Sequence, residues 1–101
     1  MHRYLKVSEV TQQLQVDIEF LQLLDAEDLI HLKRSSEGDL VISSDDVERV
    51  RVAHTLTGEL DVNLAGVEVI MHMRDSVLAM QEQFSVILDA VIDEIRRHLQ
   101  R

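Results

Sequence analysis

The sequence predicts a mostly α protein: two short helices, a small two-stranded β-hairpin wing, a third helix, and a long C-terminal helix of coiled-coil type. Three observations predict it. Apolar residues at helical spacing fill 7–14 and 17–30, with only Gln15-Val16 between them. Two β-prone runs flank a turn-forming stretch that contains Gly38. After Gly66 the chain has neither Pro nor Gly, and its apolar residues step alternately three and four residues.

Tyr4–Val7 alternates and fits either a short strand or an extended lead-in. Val7 or Ser8 then opens the first helix, whose apolar positions are Val7, Val10 and Leu14. Asp17 is placed to cap the second helix, and Ile18, Leu21 and Leu24 fall on one face to be buried. Two helices so short and so tightly joined form a helix-turn-helix unit. Ile30–Lys33 and Leu40–Ile42 are the expected strands of the wing, with Gly38 supplying the positive φ of the turn. Ser43 reads as the next N-cap, with Asp46 at the third helical position. The third helix runs to about Thr57 and buries Val47, Val50, Val52 or Ala53, and Leu56, and Gly58 ends it. Asn63 caps the last helix.

The apolar positions of that last helix are Leu64, Val67, Ile70, Met71, Val77, Leu78, Met80, Phe84, Ile87, Leu88, Val91, Ile92, Ile95 and Leu99, a stripe interrupted by Arg74 and Gln81. At 1.5 Å per residue it reaches roughly 55 Å if unbroken. A stripe that outruns its own domain needs a partner, supplied by a second copy or by a fold-back after a kink near Arg74–Gln81. A homodimer through this helix is the expectation. The organisation is therefore a winged helix-turn-helix module over 1–58 and a dimerising helix over 63–101, together one structural domain.

The 101 residues carry ten Lys plus Arg against nineteen Asp plus Glu, a net charge of −9. Such a field repels nucleic acid and anionic lipid and favours basic partners. The densest basic clusters are Lys33-Arg34, Arg49 with Arg51, and Arg96-Arg97 with Arg101; none exceeds three charges. The chain has no cysteine, so disulfides and thiolate chemistry are excluded. It shows no leader peptide and no run near the ~20 apolar residues of a membrane span, so a cytoplasmic location is expected and no membrane partner. The five histidines are dispersed, and Glu68 with His72 at i, i+4 reads as a surface pair rather than a metal site. No phosphate loop or nucleophile constellation occurs. No enzymatic activity, metal or cofactor is expected.

The second helix is the anomaly. It stands where a helix-turn-helix protein places its recognition helix, yet 17–30 contains no Lys or Arg and carries Glu19, Gln22, Asp25, Glu27 and Asp28. The order of elements resembles the MerR-type winged helix-turn-helix superfamily. Within it, Leu-Asp-Val-Asn-Leu-Ala-Gly-Val-Glu-Val-Ile at 60–70 is similar to the segment that opens the long helix in the heat-shock repressor and chaperone-modulator branches. The second helix of that superfamily commonly reads Val-Ser-Val/Pro-Arg-Thr-Leu-Arg-Tyr-Tyr-Glu-Arg-Ile-Gly-Leu-Leu. Here Glu19 and Gln22 stand at the two arginines, Leu23-Leu24 at the tyrosines, and Asp28 at the glycine. The wing reads Gly38-Asp39-Leu40 in place of Gly-Tyr-Arg, leaving Lys33-Arg34 as the remaining basic contact. Exchanging phosphate-binding Arg for Glu removes an attraction and adds a repulsion.

A retained scaffold with a lost DNA face resembles the chaperone-modulator family CbpM. That resemblance implies binding to the J domain of a DnaJ/CbpA-type co-chaperone and inhibition of its activity, with no nucleic-acid partner. It places the protein-binding residues at Asp17, Glu19, Gln22, Leu23, Asp25, Ala26 and Glu27, with Leu23 as the apolar anchor amid complementary charge. The bland alternative is a solvated acidic face with Leu23 in the core. The functional alternative is a MerR/HspR-type DNA-binding transcriptional regulator that uses the wing and the Arg49/Arg51 helix.

Overall fold

The computed structural model describes residues 3–100. Its elements are β1 (Tyr4–Lys6), α1 (Val7–Leu14), α2 (Ile18–Ala26), β2 (Lys33–Arg34), β3 (Leu40–Ser43), α3 (Ser44–Gly58) and α4 (Leu64–Leu99). The three strands form one antiparallel sheet in the order β1-β3-β2. Leu5 pairs with Ile42, and Lys33 with Val41. Tyr4–Lys6 is thus a strand rather than a lead-in, and it joins the two wing strands as the third strand of the sheet.

The chain falls into two compact units, one ending at Met71 and the other beginning at His72. The first holds the core. Val7 and Val10 of α1, Leu21 and Leu24 of α2, Ile30, Ile42 of β3, Val50 and Ala53 of α3, and Val67 and Met71 of α4 are buried in one cluster. Fully burying a Val, Leu, Ile or Met side chain contributes about 1.5–3 kcal/mol, and Leu21, Leu24, Ile30, Ile42 and Met71 are among the largest side chains buried here. Of the two candidates in α3, Ala53 is buried and Val52 only half-buried.

The turn of the helix-turn-helix closes on Thr11, whose carbonyl accepts the backbone N–H groups of Gln15 and Val16. Gln15 takes a left-handed φ of 54° there. Asp17 occupies the N-cap position with extended backbone, but its side chain makes no capping bond; its carbonyl accepts from Phe20 and Leu21. Ile18, expected in the core, is 36% exposed. It lines an open groove of about 420 Å³ beside Lys6, Thr11 and the wing turn.

The first wing strand begins later than expected. Asp28 takes the left-handed conformation (φ 63°) at the exit of α2 and turns Leu29 and Ile30 into the core. The next two backbone donors are then satisfied by carboxylates instead of a ladder: His31 N–H donates to Asp46 Oδ2 at 2.8 Å and Leu32 N–H to Asp25 Oδ1 at 3.2 Å. Pairing starts only at Lys33. The wing turn closes with Gly38 at φ 90° and its N–H on the Ser35 carbonyl at 2.9 Å.

Ser43 caps α3 as expected, its hydroxyl accepting the Asp46 N–H at 3.1 Å. Gly58 is the last helical residue, and the left-handed residue of the connection is Asp61, where φ is 56°. Asn63 caps α4 by accepting the Gly66 N–H on Oδ1 at 2.9 Å. A Cβ at position 66 would meet Val62 Cγ1 at 2.6 Å, so the Asn-Leu-Ala-Gly segment combines a cap with a close approach that only glycine allows.

The second unit is the remainder of α4. The helix runs from Leu64 to Leu99 with no break at Arg74–Gln81, so the fold-back alternative does not apply. No helix among the described residues is long and apolar enough to cross a membrane.

Candidate functional site

The outward face of α2 is fixed by what its inward face buries. With Leu21 and Leu24 in the core, residues spaced three and four apart on the other side must face solvent. Glu19, Gln22, Leu23 and Ala26 form that face, and all four are exposed. Leu23 is 44% exposed, whereas its neighbour Leu24 is 1% exposed, which settles the register in favour of an outward Leu23. Asp17 stands exposed at the head of the same helix.

The other two expected site residues have intramolecular duties. Asp25 is exposed but accepts the Leu32 N–H, tying α2 to the start of the wing. Glu27 sits at the C-cap of α2, with its backbone N–H on the Leu23 and Asp25 carbonyls. Its carboxylate lies close enough to Glu68 of α4 to act on that group's protonation. Hydrogen bonding with Glu27 first, then desolvation and the Glu27 charge, raises the Glu68 pKa from its ordinary value. The seven residues therefore split: four on one open face, Asp17 at its head, and Asp25 and Glu27 at its tail, engaged with neighbouring elements.

The basic groups available to a DNA reader are also engaged. Lys33 Nζ donates to the Tyr4 hydroxyl at 2.7 Å and lies 4.8 Å from the centre of the Tyr4 ring. Arg34 Nη1 donates to the Gly38 carbonyl at 2.9 Å, and Lys6 pairs with Asp39 at 3.7 Å. Arg49 Nε donates to the Leu29 carbonyl at 2.6 Å, bracing the exit of α2 against α3. Arg51 is doubly bonded to Glu48, whose hydrogen bond and charge raise its pKa further. Arg49 was offered by the sequence as a basic contact; its clamp on a carbonyl twenty positions away left no local signal. Among the described residues, no group of three or more His, Asp or Glu is placed to hold a metal ion.

Residues 5–87 match the family described as MerR HTH family regulatory protein. The chain belongs to that MerR family. A solved structure of HiNmlR, "a MerR family regulator lacking the sensor domain, bound to promoter DNA", superposes on this MerR-family chain with a TM-score of 0.58. The match covers 97% of this chain and 80% of that one at 16% identity, which establishes the shared fold. No curated protein matches the sequence. On the MerR scaffold, then, the helix in the reading position carries an acidic and apolar outer face.

Proposed function

We propose that this MerR-family chain is a protein-binding regulator, not an enzyme, whose α2 face engages a basic helical surface. The observation that carries it is the exposed set Glu19, Gln22, Leu23 and Ala26 on a helix without a single Lys or Arg. An apolar anchor ringed by acidic and polar groups fits a basic partner helix through one central contact and long-range charge steering. Together with the CbpM-like segment at 60–70, this makes the J domain of a DnaJ/CbpA-type co-chaperone the preferred partner and inhibition of co-chaperone activity the outcome. Asp17, Asp25 and Glu27 extend the negative field at the two ends of the face. A cytoplasmic homodimer, joined through α4, is the working form.

The test is titration of the purified chain with an isolated J domain. Measurable affinity that weakens with salt is expected, with loss of more than tenfold in Glu19→Lys and in Leu23→Asp. Leu23 is a surface residue, so Leu23→Asp should leave the fold intact while abolishing binding. Wild-type protein that ignores J domains would overturn the reading.

The second reading, a DNA-binding transcriptional regulator, draws on the promoter-bound MerR structure of the same fold. It requires the exposed Lys33-Arg34 wing to supply the phosphate contacts. A shift of duplex DNA at physiological salt, abolished by Lys33→Ala with Arg34→Ala, would establish it.

A further inference from the structure

The groove that Ile18 enters differs in sign from the acidic face of α2 beside it. Its floor is apolar, from Val7, Ile18 and Leu40, and its rim carries two cations, Lys6 and Arg34, against one carboxylate, Asp39. Lys6 and Asp39 pair at 3.7 Å with side chains 55% and 46% exposed, a contact that water weakens and an incoming group can exchange. Arg34 is held more firmly. Its Nη1 donates to the Gly38 carbonyl at 2.9 Å, which pins the guanidinium on the wing turn. The rest of its planar fork has no partner among the described residues and matches the geometry of a carboxylate. The acids nearest in sequence, Glu9, Asp17, Glu19 and Glu37, are exposed and lie outside the groove's lining. Their repulsion acts through solvent and is screened over about 8 Å at physiological salt, whereas Arg34 acts in contact.

We propose that this groove receives an aliphatic side chain and a neighbouring Asp or Glu carboxylate from the same protein partner that docks on α2, with the carboxylate seated on Arg34 and Lys6. A fixed fork above an apolar floor suits a carboxylate beside an alkyl group. A bare phosphate would satisfy the fork but leave Ile18 and Leu40 uncovered. Position ties the groove to the α2 face. Ile18 stands one turn before Gln22 on the same flank of the helix, so a partner lying along Glu19, Gln22 and Leu23 reaches the groove at the N-terminal end of α2. The partner must then match two signs, basic along α2 and acidic at the groove. That fixes the direction in which a basic helix lies on α2, which a uniformly acidic face would leave open.

This rests on the protein-binding reading and deepens it, and the two fail differently. The test titrates the full chain with the isolated J domain and repeats the titration with Arg34→Gln. The chain carries a net charge of −9 and its partner is basic, so charge alone predicts that removing a cation tightens binding. The groove predicts the opposite, a loss of about fivefold or more. Ser8→Trp narrows the groove without changing charge and should weaken binding similarly. Both residues are exposed, so urea midpoints should stay near that of the wild type. Exchanging the J domain's Asp and Glu residues singly for Asn and Gln should find one whose effect vanishes in the Arg34→Gln background. That coupled carboxylate decides the matter even where Arg34→Gln disturbs the wing, and without one the proposal falls. Unchanged or tighter binding in both variants, with Glu19→Lys still deficient, overturns the groove contact and leaves the α2 reading standing. A wild type that ignores the J domain overturns both.

Discussion

Gly66 shows at a single residue how the entry to α4 is built. An exposed helical Gly→Ala exchange ordinarily stabilises by about 1 kcal/mol. Here the new methyl would meet Val62 Cγ1 at 2.6 Å, and a β-branched side chain has little rotamer freedom to yield. Gly66→Ala should therefore destabilise the wild type yet stabilise a Val62→Ala background, and a double-mutant cycle in urea reads the sign reversal. Glu68 offers a second test at this scale. Its pKa is raised in the folded state by the Glu27 hydrogen bond, so the folded protein holds a proton that the unfolded chain has already lost. The associated stability is present at and below the ordinary carboxylate pKa and lost as pH rises through the raised value. Glu68→Gln should consequently shrink the stability difference between mildly acidic and neutral pH, measured by urea midpoints of variant and wild type. An unchanged difference would show that the shared proton contributes nothing.

At the scale of elements, the helices were legible because each announces itself locally. Ser43 and Asn63 cap as their sequence contexts imply, since an N-cap bond spans only three residues. The register of α2, including the outward Leu23, follows from Leu21 and Leu24 alone. Asp28 was also readable: a short polar side chain at a helix exit tolerates left-handed backbone. What escaped were bonds between distant positions. The Asp46 carboxylate takes the His31 N–H fifteen positions away and, with Asp25, delays the first wing strand to Lys33. The pairing of Tyr4–Lys6 with β3, nearly forty residues on, also lies outside any local pattern. Ile18 misled because helical periodicity identifies a face but not its edge, and the first turn of α2 opens on a groove. The same limit applies to the candidate site. Its open face was legible from period and charge, whereas the roles of Asp25 and Glu27 depended on contacts with the wing and with α4.

For the molecule as a whole, the two units draw stability from different sources, and this has a measurable consequence. The unit through Met71 buries its apolar residues within one chain. The helix beyond it has no buried residue among 72–100, and twelve large apolar side chains there stand exposed. In proteins, most helical stability comes from packing of an amphipathic face rather than from propensity. On the proposed homodimer reading the segment gains its order by association, and association responds to concentration. Dilution through the dissociation range should remove helical circular dichroism in proportion to residues 72–99, while the signal of the first unit persists. Hydrogen exchange at the same dilutions should show protection lost in 72–99 and retained at Leu21, Leu24, Ile42 and Val50, which belong to the core cluster. Salt supplies an internal control. A dimer contact through Leu88, Phe84, Ile95 and Val77 of α4 is apolar, so added salt should not weaken it, whereas the charge-steered contact proposed for α2 should weaken steadily. Helicity and protection in 72–99 that ignore concentration would mean that the helix is stable alone, and the association reading would fail.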